Sequence, residues 1–291
     1  MGDCTGDSIR EIAFSLDSMM VKVPGGAFNY GLFPEELEKI SADEGVHPDF
    51  LHFHSRGSRM ILPAFWIDTY PVTRIQFFRF MRETGHKIER NGWLAGWSDY
   101  VDVEHLDDPG RYFHPMVGVN SQDAKAYAEW AGKRLPKETE WEKAARGTEG
   151  CLFPWGEEFH QMMPGDNEVF PLDTSFPVGV RPENASPYGA NDMKGGVLEW
   201  TRRVFPPVSP DGTTYDDFDF VLAGSSTLHR RPSSHMVTSR WSWHPAMRIY
   251  NTGFRCASYS PTKKSGKFKY TPDPALSFPL LENLPETEKS S

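Results

Sequence analysis

The chain is poor in cysteine: Cys4, Cys151 and Cys256 are its only three, widely scattered in 291 residues and without a CxxC pair. A disulfide scaffold is thereby excluded, and a reducing, cytoplasmic setting is expected. No segment reaches the ~18 consecutive apolar residues of a membrane span. The first sixteen residues carry Asp3, Asp7, Arg10 and Glu11 in place of a basic start and an apolar run, so no export signal or membrane partner is expected. Basic stripes are also missing. The formal net charge is −9, and Lys/Arg cluster only at Lys263-Lys264 and Lys267-Lys269, which argues against nucleic acid as a partner. Nor does any interior stretch read as a linker. One domain over 18–262 is expected, with an N-terminal extension at 1–17 and a C-terminal tail at 263–291, as a monomer or homodimer.

What is present is an aromatic- and proline-rich chain, with 9 Trp and 24 Pro, a composition that fits a loop-rich α+β fold and argues against a helical bundle. Residues 18–31 read as two short strands around Gly25-Gly26, a hairpin. The stretch from there to about 59 reads as a long polar loop holding His47, His52 and His54. A strand then leads into a helix over 74–84, with Thr73 as N-cap and Gly85 as stop, and with Ile75, Phe77, Phe78 and Met81 on its apolar stripe. A second helix is expected from Ser121 to Gly132, capped by Asn120, with Ala124, Tyr127, Ala128 and Ala131 at i, i+3, i+4 and i+7. A third runs over 137–146. Pro136 fixes φ ahead of it, Glu138 and Glu140 suit its N-terminal dipole, and Gly147 ends it. Short strands are expected near 177–180, 220–223 and 253–258.

Six segments together resemble the formylglycine-generating-enzyme, or sulfatase-modifying-factor, family: VPGGAFNYG (23–31), FWIDTYPVTRIQFFRF (65–80), the run from His114 to Gly147 ending in GKRLPKETEWEKAARG, FPWGEE (153–158), SPYGANDMKGGVLEW (186–200) and GFRCA (253–257). They stand in the family's order over roughly residues 20–260. The resemblance implies a compact mixed fold related to C-type lectins. In the members that oxidise a substrate cysteine, it also implies two copper-binding cysteines between a Gly-Gly-Ser turn and the GFR strand. Counting from Ala223-Gly224-Ser225, Leu228 and Ser233 stand at those positions, and neither suits a soft Cu(I) ion. Formylglycine generation is therefore not expected, and Cys256, in the strand itself, is no substitute.

The same segment carries His229, His235 and His244, spaced H-x5-H-x8-H. Imidazoles suit Fe, Cu or Zn, so these three are candidate ligands for Fe(II) or another transition metal, with His229, His235 and Ser233 as candidate catalytic residues. Against that stands the ordinary use of such histidines, hydrogen-bonded to backbone or stacked on aromatic rings. His47, His52 and His54 could reach the same cleft or simply be exposed. Relatives that use histidine-bound iron, the sulfoxide synthases of ergothioneine-type pathways, take their ligands from a separate helical domain, and none fits before residue 20. The family's GN-x-W-E-W calcium motif reads GGVLEW here. Asn167 and Glu199 remain as candidate Ca2+ ligands of a reduced site.

Arg240, Trp241, Trp243 and Arg248 are candidate substrate-binding residues, since guanidinium forks and indoles together suit an anionic or peptide-like ligand. Arg255, and Arg248 with it, could instead be buried arginines paired with carboxylates such as Glu199. Two functions stay open. One is an oxygen- and metal-dependent oxidoreductase acting on a small metabolite or modified amino acid in a biosynthetic pathway. The other is a catalytically silent binding domain, using the cleft as a lectin-like fold uses its loop surface or pairing with an active homologue; the partner expected overall is a small-molecule or peptide substrate.

Overall fold

The structure, a computed structural model, describes residues 6–51, 54, 56–88, 109–159, 176–204, 220–226, 229 and 231–261. Its frame is a long antiparallel ribbon. β1 (Met20–Val23) pairs with β4 (Phe65–Asp68), and β2 (Gly26–Tyr30) pairs with β3 (Ser58–Leu62). The two pairings share one register, with Met20 opposite Asp68 and Tyr30 opposite Ser58. The expected hairpin at 18–31 is therefore corrected: Gly25-Gly26 is a kink in one extended arm, not a reversal. A Cβ on Gly25 would lie 2.9 Å from the Ala64 amide nitrogen, and Gly26 has φ +125°, so the ribbon bends where side chains are missing. The true hairpin loop is the whole stretch between β2 and β3. It holds helix α2 (Pro34–Glu44), where an irregular loop was expected. Pro34 opens α2, Glu36 accepts from the Phe33 amide, and Gly45 closes it in a left-handed conformation.

Helix α1 (Gly6–Asp17) packs through Ala13 and Leu16 on Ile75 of α3 (Arg74–Thr84). α3 begins after Thr73 and stops at Gly85, as the sequence indicates. In α4 (Ser121–Trp130) the Asn120 side chain accepts from the amides of Gln122 and Asp123. Phe77, Phe80, Tyr127 and Ala128 join α3 to α4 in one core.

In α5 (Glu138–Arg146) all nine residues are buried, the charged ones included. Its charges survive burial by pairing. Arg134 binds Glu140 with both terminal nitrogens (2.6 and 2.7 Å), Lys143 donates to the Gly26 carbonyl, and Arg146 donates to the Gly31 and Gly150 carbonyls. Trp141 packs in a second core with Phe28, Phe65, Met193 and Val237. Burying an aromatic of this size makes Trp141→Ala worth about 3–5 kcal/mol of lost stability.

A four-stranded sheet lies beside α5 in the order β7 (Arg240–Trp241), β6 (Phe220–Gly224), β5 (Leu198–Arg202), β8 (Thr252–Gly253), and β5–β8 is its one parallel pairing. β5 escaped the sequence reading because its first four residues are all buried and show no alternation. The expected strand at 177–180 is a turn. The expected strand at 253–258 is split between β8 and β9 (Ala257–Ser258), and β9 joins β4 in the first sheet. No helix among the described residues is long and apolar enough to cross a membrane.

Candidate binding site

The site forms where β6 ends. Gly224, at φ +94°, turns the chain so closely over Met193 and Val197 that a Cβ would sit 3.3 Å from the Val197 carbonyl. Ser225 and Ser226 follow, a 3-10 turn at Pro232–His235 returns, and β7 brings Trp241 alongside. Two histidines meet here. His235 Nε2 lies 2.8 Å from the His229 carbonyl oxygen, and its Nδ1 lies 2.8 Å from Ser225 Oγ. A carbonyl only accepts, so the His235 proton is on Nε2, and Nδ1 accepts from the Ser225 hydroxyl. That hydroxyl in turn accepts from the Gly195 amide.

His229 is fixed differently. The Ser226 amide lies 3.0 Å from its Nδ1, whereas the Ser226 carbonyl is 3.3 Å away. The shorter contact comes from an N–H of fixed direction, so Nδ1 accepts and the ring proton is on Nε2. Burial, reinforced by His235 and Lys194, holds the His229 pKa down to about 4, so the ring is neutral at pH 7. Its Nε2 has no hydrogen-bond partner among the described residues. The His229 ring tilts against Trp241 at a centroid distance of 4.5 Å, and Phe159 covers His235 at 5.6 Å. The result is a half-buried aromatic shelf that carries the His229 Nε2–H donor.

The expected three-histidine metal set does not form. His244 is exposed and accepts from the Ala246 amide, and no group of three His, Cys, Asp or Glu side chains among the described residues is placed to hold a metal ion. Nδ1 of both His229 and His235 is engaged, and His235 Nε2 is spent on the His229 carbonyl, so the two rings do not offer a pair of ring nitrogens to Fe, Cu or Zn. Ser233 is buried, with its amide and hydroxyl donating to Glu44 at 2.5 and 2.7 Å. Leu228 lies outside the described residues, as does Asn167. Glu199 is fully buried: Arg255 binds it through Nε (2.7 Å) and Nη2 (2.8 Å), and Trp141 Nε1 donates to it at 2.8 Å. A guanidinium occupies the place beside this carboxylate, which corrects its reading as a calcium ligand.

The arginine forks are corrected as well. Arg240 is buried, donating to Glu142 and to the carbonyls of Val237 and Ser239, with Glu138 beside it. Arg248 is buried against Asp123. Both hold the fold from inside and present no fork to a ligand. Of the four residues expected to bind substrate, Trp241 lines the shelf and Trp243 is exposed.

His54 is not exposed either. It is buried, and its Nδ1 bonds Thr238 Oγ1 at 2.8 Å, whereas His47 stays on the surface beside Asp49. His52 lies outside the described residues. Cys256 is buried under β9, its thiol pushed well up by burial, and it takes no part in the site. Sequence reasoning missed Glu44 and Lys194. Lys194 sits buried below the shelf, donating to Ser239 Oγ at 2.9 Å, with its pKa pushed well below the usual lysine range by burial and then by Arg240. A lysine in DMKGGVLEW was the one signal available for it.

With this geometry the protein falls in the class of formylglycine-generating-enzyme-like folds. The solved structure of PvdO from Pseudomonas aeruginosa superposes with a TM-score of 0.57 at 23% identity, covering 83% of this chain and 94% of that one. Residues 11–259 match the sulfatase-modifying factor enzyme 1-like domain, and the chain belongs to that family. It is 30% identical to the inactive C-alpha-formylglycine-generating enzyme 2 of Bos taurus, over 82% of this chain and 87% of the relative. It is equally 30% identical to the formylglycine-generating enzyme of Thermomonospora curvata, over 82% of this chain and 93% of that protein. Overall identity therefore does not separate active from inactive relatives, and the site residues must. The chain spans 57% of the length of a further relative, YfmG of Bacillus subtilis.

Proposed function

We propose that this chain is a binding domain of the family, without formylglycine-generating activity, which holds a carbonyl-bearing ligand such as a peptide segment or small amide on the His229–Trp241 shelf. One observation carries the reading: the neutral His229 ring, its Nδ1 tied to the Ser226 amide, presents beside the Trp241 face an Nε2–H that no described residue engages. A donor next to an indole favours an acceptor oxygen attached to a flat or apolar group, and excludes nothing by charge. Leu228 and Ser233 in place of thiols support the lack of oxidase chemistry, as does the existence of relatives named as inactive. A metal- and oxygen-dependent oxidation would need a donor set that the described residues do not assemble.

The test is direct. Recombinant protein supplied with Cu(I), oxygen and a sulfatase-type cysteine peptide should yield no aldehyde by mass spectrometry. Titration with a panel of N-acetyl amino-acid amides should give saturable binding that His229→Phe abolishes. Stoichiometric Fe or Cu together with oxygen-consuming turnover would overturn the proposal.

A further inference from the structure

The stretch between β2 and β3 is built as a separate flap. Its neck is narrow: Leu32 bridges Arg56, and the Gly57 amide donates to the Leu32 carbonyl at 2.8 Å. Gly57 is required there, since a Cβ would lie 2.8 Å from the Leu32 backbone. The neck is anchored on the core by the Gly31 amide, which donates to Glu142 at 2.6 Å. From that neck α2 extends over the segment that forms the binding shelf. Leu32, Ile40 and Leu51 pack on Phe153 and Met236, with Phe159 at the edge of the same cluster, and Phe159 is the ring that covers His235.

At the far end of α2, Glu44 reaches across 189 residues of sequence to take both the amide and the hydroxyl of Ser233, at 2.5 and 2.7 Å. Ser233 lies in the 3-10 turn that ends at His235, and His235 holds the His229 carbonyl. Near the neck His54 bonds Thr238 and bridges Ser239, and at the far end of α2 the Glu44 carboxylate fastens the flap to the turn on which the shelf histidines depend.

We propose that α2 is a lid on the binding shelf and that Glu44 is its latch, closing the flap onto Ser233 and ordering His235 and His229 beneath it. This rests on the shelf being the ligand site, but the latch can be tested without any ligand. Charge-assisted hydrogen bonds to a buried amide and hydroxyl are strong enough that their loss should raise the local opening equilibrium roughly tenfold or more.

The experiment is hydrogen–deuterium exchange by mass spectrometry on the full chain, comparing wild type, Glu44→Ala, Glu44→Gln and Ser233→Ala. In Glu44→Ala, amides of 34–44 and of 233–239 should exchange about tenfold faster or more, with β5 and β6 unchanged. Glu44→Gln keeps one acceptor and should fall between. Ser233→Ala leaves the amide bond and should show a smaller rise in the same two segments. Exchange that is unaltered in Glu44→Ala, that rises in α2 alone, or that rises throughout the chain overturns the proposal. If Glu44→Ala does not fold, the Ser233→Ala comparison decides: a rise confined to the two segments upholds the latch, and its absence refutes it. Failure of amide-probe binding with these exchange results intact would refute the shelf reading and leave the latch standing.

Discussion

Arg255 and Glu199 form an ion pair in the interior of the fold: both side chains are fully buried, and the guanidinium meets both carboxylate oxygens. The remaining guanidinium hydrogens go to the carbonyls of Asp68, Thr69 and Asn191, so one residue of the GFRCA segment ties the first sheet to the second. Removing one partner strands the other charge in the interior. Glu199→Gln should therefore cost about 3–5 kcal/mol in denaturant unfolding. Because this carboxylate is committed to arginine, a calcium chelator should leave the melting temperature of the wild-type protein unchanged, and a clear drop would restore Glu199 as a metal ligand.

Arg240 makes a second such test. If it serves α5 by holding Glu142, Arg240→Met should lower unfolding stability by about 3 kcal/mol or more, with the Glu142 carboxylate left to Arg146 and the Gly31 amide. The double variant Arg240→Met/Glu142→Met should recover part of that loss. Had Arg240 been a ligand fork, the substitution would weaken binding and leave stability nearly untouched.

His229 gives a pH signature. Its folded pKa of about 4 lies below the ordinary imidazole value near 6.5, so its stabilising contribution is complete above pH 6.5 and is lost as pH falls toward 4. Over that window wild type should lose roughly 3 kcal/mol relative to His229→Gln. Nitrogen-15 chemical shifts of labelled histidine should report the Nε2–H tautomer for both His229 and His235. Parallel pH profiles for wild type and variant would refute the buried neutral ring.

Lys194 behaves in the same sense at higher pH. Burial depresses its pKa below the usual 10.5; the amine donates to Ser239 Oγ and lies over the Trp141 ring, and among the described residues it forms no ion pair. A depressed lysine contributes fully above its unfolded pKa and loses that contribution as pH falls through the folded one. Lys194→Met should accordingly stabilise the protein at neutral pH, and the gain should vanish near pH 10.5. A loss of stability at pH 7 would show that the amine is needed there.

Much of the fold was legible because its signals are local. Thr73, Asn120, Gly85 and Gly147 mark helix ends through backbone hydrogen bonding and φ, and those marks hold in the structure. The reading failed where pairing is remote. Gly25-Gly26 looks like a turn from either side, and only the Ala64 backbone pressing on it makes it a kink. α2 has its own signals in Pro34, Glu35, Glu36 and Gly45, local marks of a helix inside a stretch whose polar composition reads as loop.

The candidate site divides along the same line. From the sequence came the family, the loss of both thiols and the choice of the 224–244 segment, since each depends on residue identity and order. The use of each side chain depends on what surrounds it. His235 spends both ring nitrogens on Ser225 and a carbonyl, His229 spends Nδ1 on Ser226, and arginines that could hold a ligand neutralise Glu142 and Asp123. Those partners lie up to 125 residues away in sequence, and a buried charge or lone pair takes whichever partner the packed chain brings within 3 Å.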